Sequence, residues 1–282
     1  MIDKLRIAQG ININNSYINI MEKQLREHID YNAVSKNEAI LLGLIKNNDI
    51  LVFGVRELRA LTNWSNNRIN NTLSSLEKKG ILLHIKRDNY TLEANIVERS
   101  FEIATETIIP SYISFWSALS FYGLTEQQVS EIQLISTKQY RDLKLGPYMV
   151  SITTFKPNMF YGYRKRNGFV IAEIEKALVD SLYLIEKCGG LTEFIKCLVH
   201  SWKDINQTKL LKYALKFNNK SLISRLGYLI EHLELETNIL DKLLLFVSKS
   251  YIKLSVIGER NKNYNKKWNV MVNHDFELEE IM

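Results

Sequence analysis

The sequence predicts an α+β protein in two parts: a small N-terminal helical domain closed by a β-hairpin, and a larger C-terminal domain of mixed strands and helices. Three observations carry this. Between residues 36 and 92, apolar residues at helical spacing give way to two short strand-like runs around a polar turn. From Pro110 onward the pattern changes to strands interleaved with helices. Apolar residues make up 46% of the 282, enough to build a core in each part. The expected boundaries are an N-terminal extension at 1–35, the small domain at 36–95 and the larger one at 96–282.

Taken in order, Ile18, Met21, Leu25 and Ile29 fall at helical spacing, so residues 17–30 are read as an amphipathic helix. Residues 37–47 follow as a helix with Ile40, Leu41, Leu44 and Ile45 inward. Ile50-Leu51-Val52-Phe53 is strand-like, and residues 55–62 form a short helix with Leu58 and Leu61 inward. Asn63-Trp64 make a turn, and the Ser65 hydroxyl is placed to cap the next helix. That helix, 66–79, turns Ile69, Leu73 and Leu76 inward and ends at Gly80, which suits a left-handed C-terminal residue. Residues 81–85 and 90–92 pair around Lys86-Arg87-Asp88-Asn89. Helix, short strand, helix, turn, helix, hairpin is the order of a winged helix-turn-helix.

Residues 93–109 read as a linker or a connecting helix. Beyond it come a helix at 114–122 ending at Gly123, strands at 131–136 and 148–155, and a hairpin near 160–169 turning at Asn167-Gly168. A helix follows at 174–186, then helices near 191–201, 208–216, 220–234 and 236–248, and a last strand at 268–272.

The longest apolar run is too short to span a bilayer. The start, Met1-Ile2-Asp3-Lys4-Leu5-Arg6, has no apolar stretch of the secretory type. A cytoplasmic protein without membrane partners is expected. The two cysteines, Cys188 and Cys197, lack metal-ligand spacing, and Cys197 in its apolar run reads as a buried thiol. The net charge of +6 suits a nucleic-acid partner, and residues 50–92 concentrate it with seven Lys/Arg against three acids.

A recognition helix docks one face on its own core and offers the other to base edges and phosphates in the major groove. With Ile69, Leu73 and Leu76 inward, the outward set is Asn66, Asn67, Arg68, Asn70, Asn71, Thr72 and Ser75, with Ser65 at the cap. Asn pairs bidentately with adenine and Arg with guanine. Lys78 and Lys79 at the helix end, and Lys86, Arg87, Asn89 and Tyr90 in the wing, suit the phosphate backbone. These fourteen residues form the candidate DNA-binding site, with double-stranded DNA as the partner. Neither catalytic nor metal-ligating residues are assigned, and no cofactor is expected.

The run Pro110-Ser111-Tyr112-Ile113-Ser114-Phe115-Trp116-Ser117-Ala118-Leu119-Ser120-Phe121-Tyr122-Gly123-Leu124-Thr125-Glu126-Gln127 closely resembles the AbiEi antitoxin family. Phe160-Tyr161-Gly162, the Glu175-Lys176-Ala177-Leu178-Val179-Asp180 helix and Ser224-Arg225-Leu226-Gly227 continue the likeness, which covers about residues 36–275. The resemblance implies a regulator of a type IV toxin–antitoxin system tied to phage defence. In such a protein the winged helix binds inverted repeats in its own promoter and represses the operon, an arrangement that suits a homodimer on DNA. The C-terminal domain counteracts a nucleotidyltransferase-like toxin from the same operon. At the wing this sequence departs from the pattern, with Asn89 where Gly is common before Tyr90; Asn89 can still adopt positive φ, so the turn survives.

Two other classes stay open. In one, the winged helix contacts protein instead of DNA. In the other, the chain is a metal-dependent nuclease, although its Glu77-Lys78-Lys79 lies on the recognition helix and its five histidines are scattered. Glu173, Glu175 and Asp180 are read as capping and ion-pairing groups rather than a catalytic cluster. Arg164-Lys165-Arg166, read as a compact basic turn, and Arg260, Lys262, Lys266 and Lys267 are basic stretches suited to solvent or to phosphate.

Overall fold

A computed structural model describes residues 34–125, 130–257 and 259–274. The fold is α+β. The helix expected at 17–30, and Glu126 and Gln127 of the 110–127 run, lie outside the described residues. The chain divides into two compact units. The first comprises the described residues up to Thr107 together with Leu143–Gly146, and the second comprises Ile108–Asp142 and the described residues from Pro147 onward. The first unit therefore extends past residue 95.

In the first unit, α1 (Lys36–Asn47) starts at a reciprocal cap in which Ser35 and Glu38 satisfy each other's backbone N–H groups. Helix α2 (Val55–Thr62) ends at Asn63 in the left-handed region, and α3 (Asn66–Lys78) starts at Ser65, whose hydroxyl accepts from the Arg68 N–H. Gly80, at φ 70, releases the chain from α3 into β1 (Leu82–Lys86). Strand β2 (Asn89–Leu92) pairs antiparallel with β1. The expected strand at 50–53 contracts to one bridge, where Phe53 and Tyr90 exchange both backbone hydrogen bonds at 2.7 and 3.0 Å. Leu41, Leu42, Ile45, Phe53, Leu58, Ile69, Leu73, Leu76, Leu82 and Leu92 form the core. Helix α4 (Ile96–Thr107) completes the unit.

The inward face of α1 differs from the expected one. Leu42 and Glu38 are buried, whereas Ile40 and Leu44 are only half-buried. Leu42 joins the apolar core, and Glu38 is tolerated inside because Lys79 Nζ reaches both its carboxylate oxygens at 2.8 and 2.7 Å, which ties the end of α3 to the start of α1. Burial by itself would raise the Glu38 carboxyl, but hydrogen bonds from Lys79, Ser75 and Ser35 outweigh it and hold the group at about 2, below the ordinary 4.5. Unfolding returns it to the ordinary value. Its stabilising contribution is therefore complete above pH 4.5 and is lost as the pH falls towards 2. Glu38→Gln is expected to remove that part of the acid sensitivity. Urea midpoints followed downward from about pH 5 check this; curves for variant and parent that fall in parallel would contradict it.

The second unit is built on a mixed sheet. Its strands are β3 (Ser111–Ile113), β4 (Glu131–Ser136), β6 (Tyr148–Thr154), β7 (Tyr163–Arg166) and β8 (Phe169–Ala172), in the order β6-β4-β3-β8-β7. The short β5 (Leu143–Leu145) groups with the first unit. Strand β3 pairs antiparallel with β4 and parallel with β8, and β4 pairs parallel with β6. Arg164, Lys165 and Arg166 lie in β7 and not in a turn; the turn is Asn167-Gly168, both at positive φ.

Helices α5 (Phe115–Phe121), α6 (Ile174–Tyr183), α7 (Leu191–Ser201), α8 (Gln207–Phe217) and α9 (Lys220–His232) follow, with α6 packed against the other four. The helix expected at 236–248 shortens to α10 (Leu240–Leu244). A small sheet, β10-β11-β9, is made by β9 (Ile252–Lys253), β10 (Tyr264–Asn265) and β11 (Val270–Met271). Gly227 lets α9 meet it: a Cβ there would sit 2.0 Å from the Trp268 ring, and that ring is fully buried. Cys188 and Cys197 are both buried thiols, and burial pushes Cys197 up to about 12. Among the described residues no helix is long and apolar enough to cross a membrane.

Candidate nucleic-acid interface

Helix α3 buries Ile69, Thr72, Leu73 and Leu76. At 100° per residue, the stripe opposite that face is Asn67, Asn71, Ser74 and Lys78, all exposed. Asn66, Arg68 and Asn70 flank it and are exposed too. Among the expected site residues these three, the three expected members of the stripe, Ser65 at the N-cap and Arg87 at the hairpin tip are exposed at the surface of one unit, as is the ion-paired Lys79.

The others have different roles. Thr72 is buried, with its hydroxyl donating back to the Arg68 carbonyl at 2.8 Å. Ser75 is half-buried and hydrogen-bonds Glu38. Lys79 is held by the same carboxylate. Lys86 turns inward to donate to the Thr107 carbonyl at 2.7 Å, and partial burial pulls its ammonium below its ordinary value. Asn89 is half-buried, opposite Lys86 in the ladder. Tyr90 is half-buried and stacks on His84 with ring centroids 4.6 Å apart. Thr72 and Lys86 therefore leave the candidate interface, because each turns into its own unit, whereas Lys79 stays exposed with its charge shared by Glu38.

The left-handed residue of the β1–β2 hairpin is Asp88, at φ 57, and not Asn89. Asp88 Oδ1 accepts from the Val55 N–H at 2.8 Å. A Cβ at position 54 would sit 2.2 Å from the Asp88 carbonyl oxygen. Gly54 is thus the residue that lets the hairpin turn rest on the start of α2.

The sequence pattern alone passes over three residues. Ser74, and not Ser75, lies in the exposed stripe. Arg56 and Arg59 project from α2 and line an open concavity with Asn63, Trp64, Asn66 and Asn67. Among the described residues, no carboxylate lines it. It opens at the N-terminus of α3, whose first turn carries no acid, so unpaired backbone N–H groups and the positive helix end add to the two guanidinium charges. The signal was available, since placing Leu58 inward turns Arg56 and Arg59 outward. Arg68 stands at the same end, its guanidinium 3.8 Å from the Trp64 ring centroid and donating to Asn37 Oδ1 at 2.6 Å. Stacking and hydrogen bonding together hold that side chain in place while leaving it exposed.

This fold is similar to that of the RV2827C protein from Mycobacterium tuberculosis in its crystal structure, with a TM-score of 0.59 and 14% identity over 82% of this chain and 89% of that one. At that identity the likeness speaks for the fold alone. No protein-family model matches the chain, and no curated protein matches it.

Proposed function

We propose that the first unit is a winged helix-turn-helix that binds double-stranded DNA, with α3 in the major groove, Arg56 and Arg59 on the phosphates beside it and Arg87 on the flanking backbone. The observation that carries this reading is the exposed α3 stripe of Asn67, Asn71, Ser74 and Lys78 next to a concavity lined by two arginines and no carboxylate. Amide and hydroxyl groups on the stripe supply donors and acceptors for base edges; the arginines supply charge for phosphates. Together with the resemblance of residues 110–127 to AbiEi antitoxins, this supports a transcriptional regulator that acts by binding. It would repress its own operon and counteract a nucleotidyltransferase-like toxin encoded there.

Binding to the DNA upstream of the chain's own gene, titrated at several salt concentrations, tests the proposal. Affinity is expected to fall linearly in log–log form with rising salt, as released counterions require. Arg56→Ala with Arg59→Ala is expected to flatten that slope by about 1.8, roughly 0.9 for each phosphate no longer neutralised. Absent or salt-insensitive binding would instead favour a winged helix that contacts protein.

A further inference from the structure

We propose that Tyr251 and Tyr264, with the basic rim and polar pocket beside them, form a site for unpaired RNA in the second unit. Three observations meet there. The first is charge: residues 242–267 hold seven Lys/Arg against one acid, Glu259, an excess equal to that of the whole chain. Of these cations, Lys249, Arg260, Lys262 and Lys266 are exposed, while Lys267 is paired with Glu231.

The second is aromatic. Tyr251 and Tyr264 approach across the small sheet with ring centroids 4.8 Å apart, and they remain 47% and 43% exposed. Such rings normally bury most of their area, so a pair left open to water is a ready platform for a flat partner. Lys253 follows Tyr251 by two residues and Lys262 precedes Tyr264 by two. These spacings set one cation within two residues of each ring in the chain.

The third is a pocket next to Tyr264, lined by His232, Asn263, Asn265 and His274. Its amide and imidazole groups can both donate and accept hydrogen bonds.

Each feature excludes some partners. A charged rim alone suits any polyanion, including duplex DNA. Paired bases are stacked inside the duplex and have no free face for a tyrosine, so the aromatic platform selects unpaired bases. A wholly protein partner would use the rings but would need a strongly acidic surface to match the rim. The polar pocket favours RNA over single-stranded DNA, because a 2′-hydroxyl beside a stacked base is both donor and acceptor and the pocket offers groups of both kinds. This site is distant in sequence from α3 and does not depend on the reading of the first unit.

The test is fluorescence anisotropy of the full chain with a labelled, unstructured RNA of about a dozen nucleotides. Single-stranded DNA of the same sequence and the corresponding duplex serve as competitors. RNA is expected to bind, and to be displaced more weakly by either DNA than by unlabelled RNA. Tyr251→Ala with Tyr264→Ala is expected to weaken RNA binding about 10-fold or more, whereas Tyr251→Phe with Tyr264→Phe keeps it, since the ring and not the hydroxyl does the stacking. Lys262→Glu is exposed and outside the core. It is expected to weaken RNA binding without moving the melting temperature, and it keeps the question answerable if the alanine pair folds poorly. Arg56→Ala with Arg59→Ala should leave RNA binding unchanged. The proposal is overturned by RNA affinity indifferent to both the alanine pair and Lys262→Glu, or by single-stranded DNA or duplex competing as well as RNA.

Discussion

Asp180→Ala is expected to destabilise the protein by about 3–5 kcal/mol, because it strands a buried ammonium. Lys176 and Asp180 are one turn apart on α6 and both fully buried, and they hydrogen-bond each other. Asp180 also accepts from Ser114 Oγ at 2.8 Å and from Tyr112 Oη at 3.2 Å. Among the described residues the Lys176 ammonium has no such second set. Around it stand the rings of Tyr161, Phe217, Phe155 and Tyr112, with centroids 4.8 to 5.6 Å away. Burial pulls Lys176 below its ordinary value and pushes Asp180 above its own, while each partner opposes the shift of the other.

The asymmetry gives the prediction its content. Lys176→Met leaves a carboxylate still held by two hydroxyls and is expected to cost less than Asp180→Ala. Lys176→Met with Asp180→Leu removes both charges and is expected to lie near the parent, as apolar replacements of buried ion pairs often do. In Asp180→Ala the remaining lysine has a folded pKa well below its unfolded value. The penalty is then largest at low pH and is relieved as the pH rises through the folded pKa towards the unfolded one. Urea midpoints of the three variants, taken at neutral and alkaline pH, check the ranking. Equal losses for the two single variants would mean that the hydroxyls give Asp180 no independent support.

What the sequence made legible here is what depends on local chemistry. Ser65 capping α3, Gly80 ending it and Asn167-Gly168 turning the β7–β8 hairpin all follow from residues within a few positions of the feature. The inward set Ile69, Leu73 and Leu76 follows from helical period. What the sequence hid depends on partners far along the chain. Lys79 looks like a solvent-facing helix-end cation until Glu38, 41 positions away, is brought beneath it. Lys86 looks like a wing-tip cation until the Thr107 carbonyl is placed within 2.7 Å. Thr72 falls on the boundary between faces, where a small β-branched residue goes inward by donating to its own helix backbone.

The same distinction applies to the motifs of the second unit. Glu173 stands at the N-cap of α6 and accepts from Tyr213 and Lys209, Glu175 accepts from the Asn206 N–H, and Asp180 is held as described. In the Ser224-Arg225-Leu226-Gly227 segment, Ser224 Oγ accepts from the Ser248 N–H and Arg225 Nε donates to the Lys253 carbonyl. Gly227 admits Trp268. These residues join α9 to the small C-terminal sheet. Tyr251 directly precedes β9 and Tyr264 starts β10, and both strands are only two residues long, too short to register as an alternating pattern.

Asn67→Ala with Asn71→Ala is expected to reduce specific DNA binding by about 2–6 kcal/mol while leaving the salt slope unchanged. The two residues are one turn apart at the centre of the exposed α3 stripe, opposite the buried Ile69 and Leu73. A carboxamide makes a bidentate pair with adenine worth about 1–3 kcal/mol of discrimination, and the range for the double variant counts one such pair for each asparagine. Neither residue carries charge, so the number of counterions released stays the same. Alanine is also the better helix former, by a few tenths of a kcal/mol at each position, so the variant should melt no lower than the parent. Loss of specific affinity, an unchanged slope and undiminished stability form a pattern that misfolding cannot produce. Arg56→Ala with Arg59→Ala should give the complementary one, a flatter slope with sequence preference retained. If the asparagine pair flattened the slope, or left specific binding intact, the base-reading role would pass from this stripe to Arg68 and the residues around it.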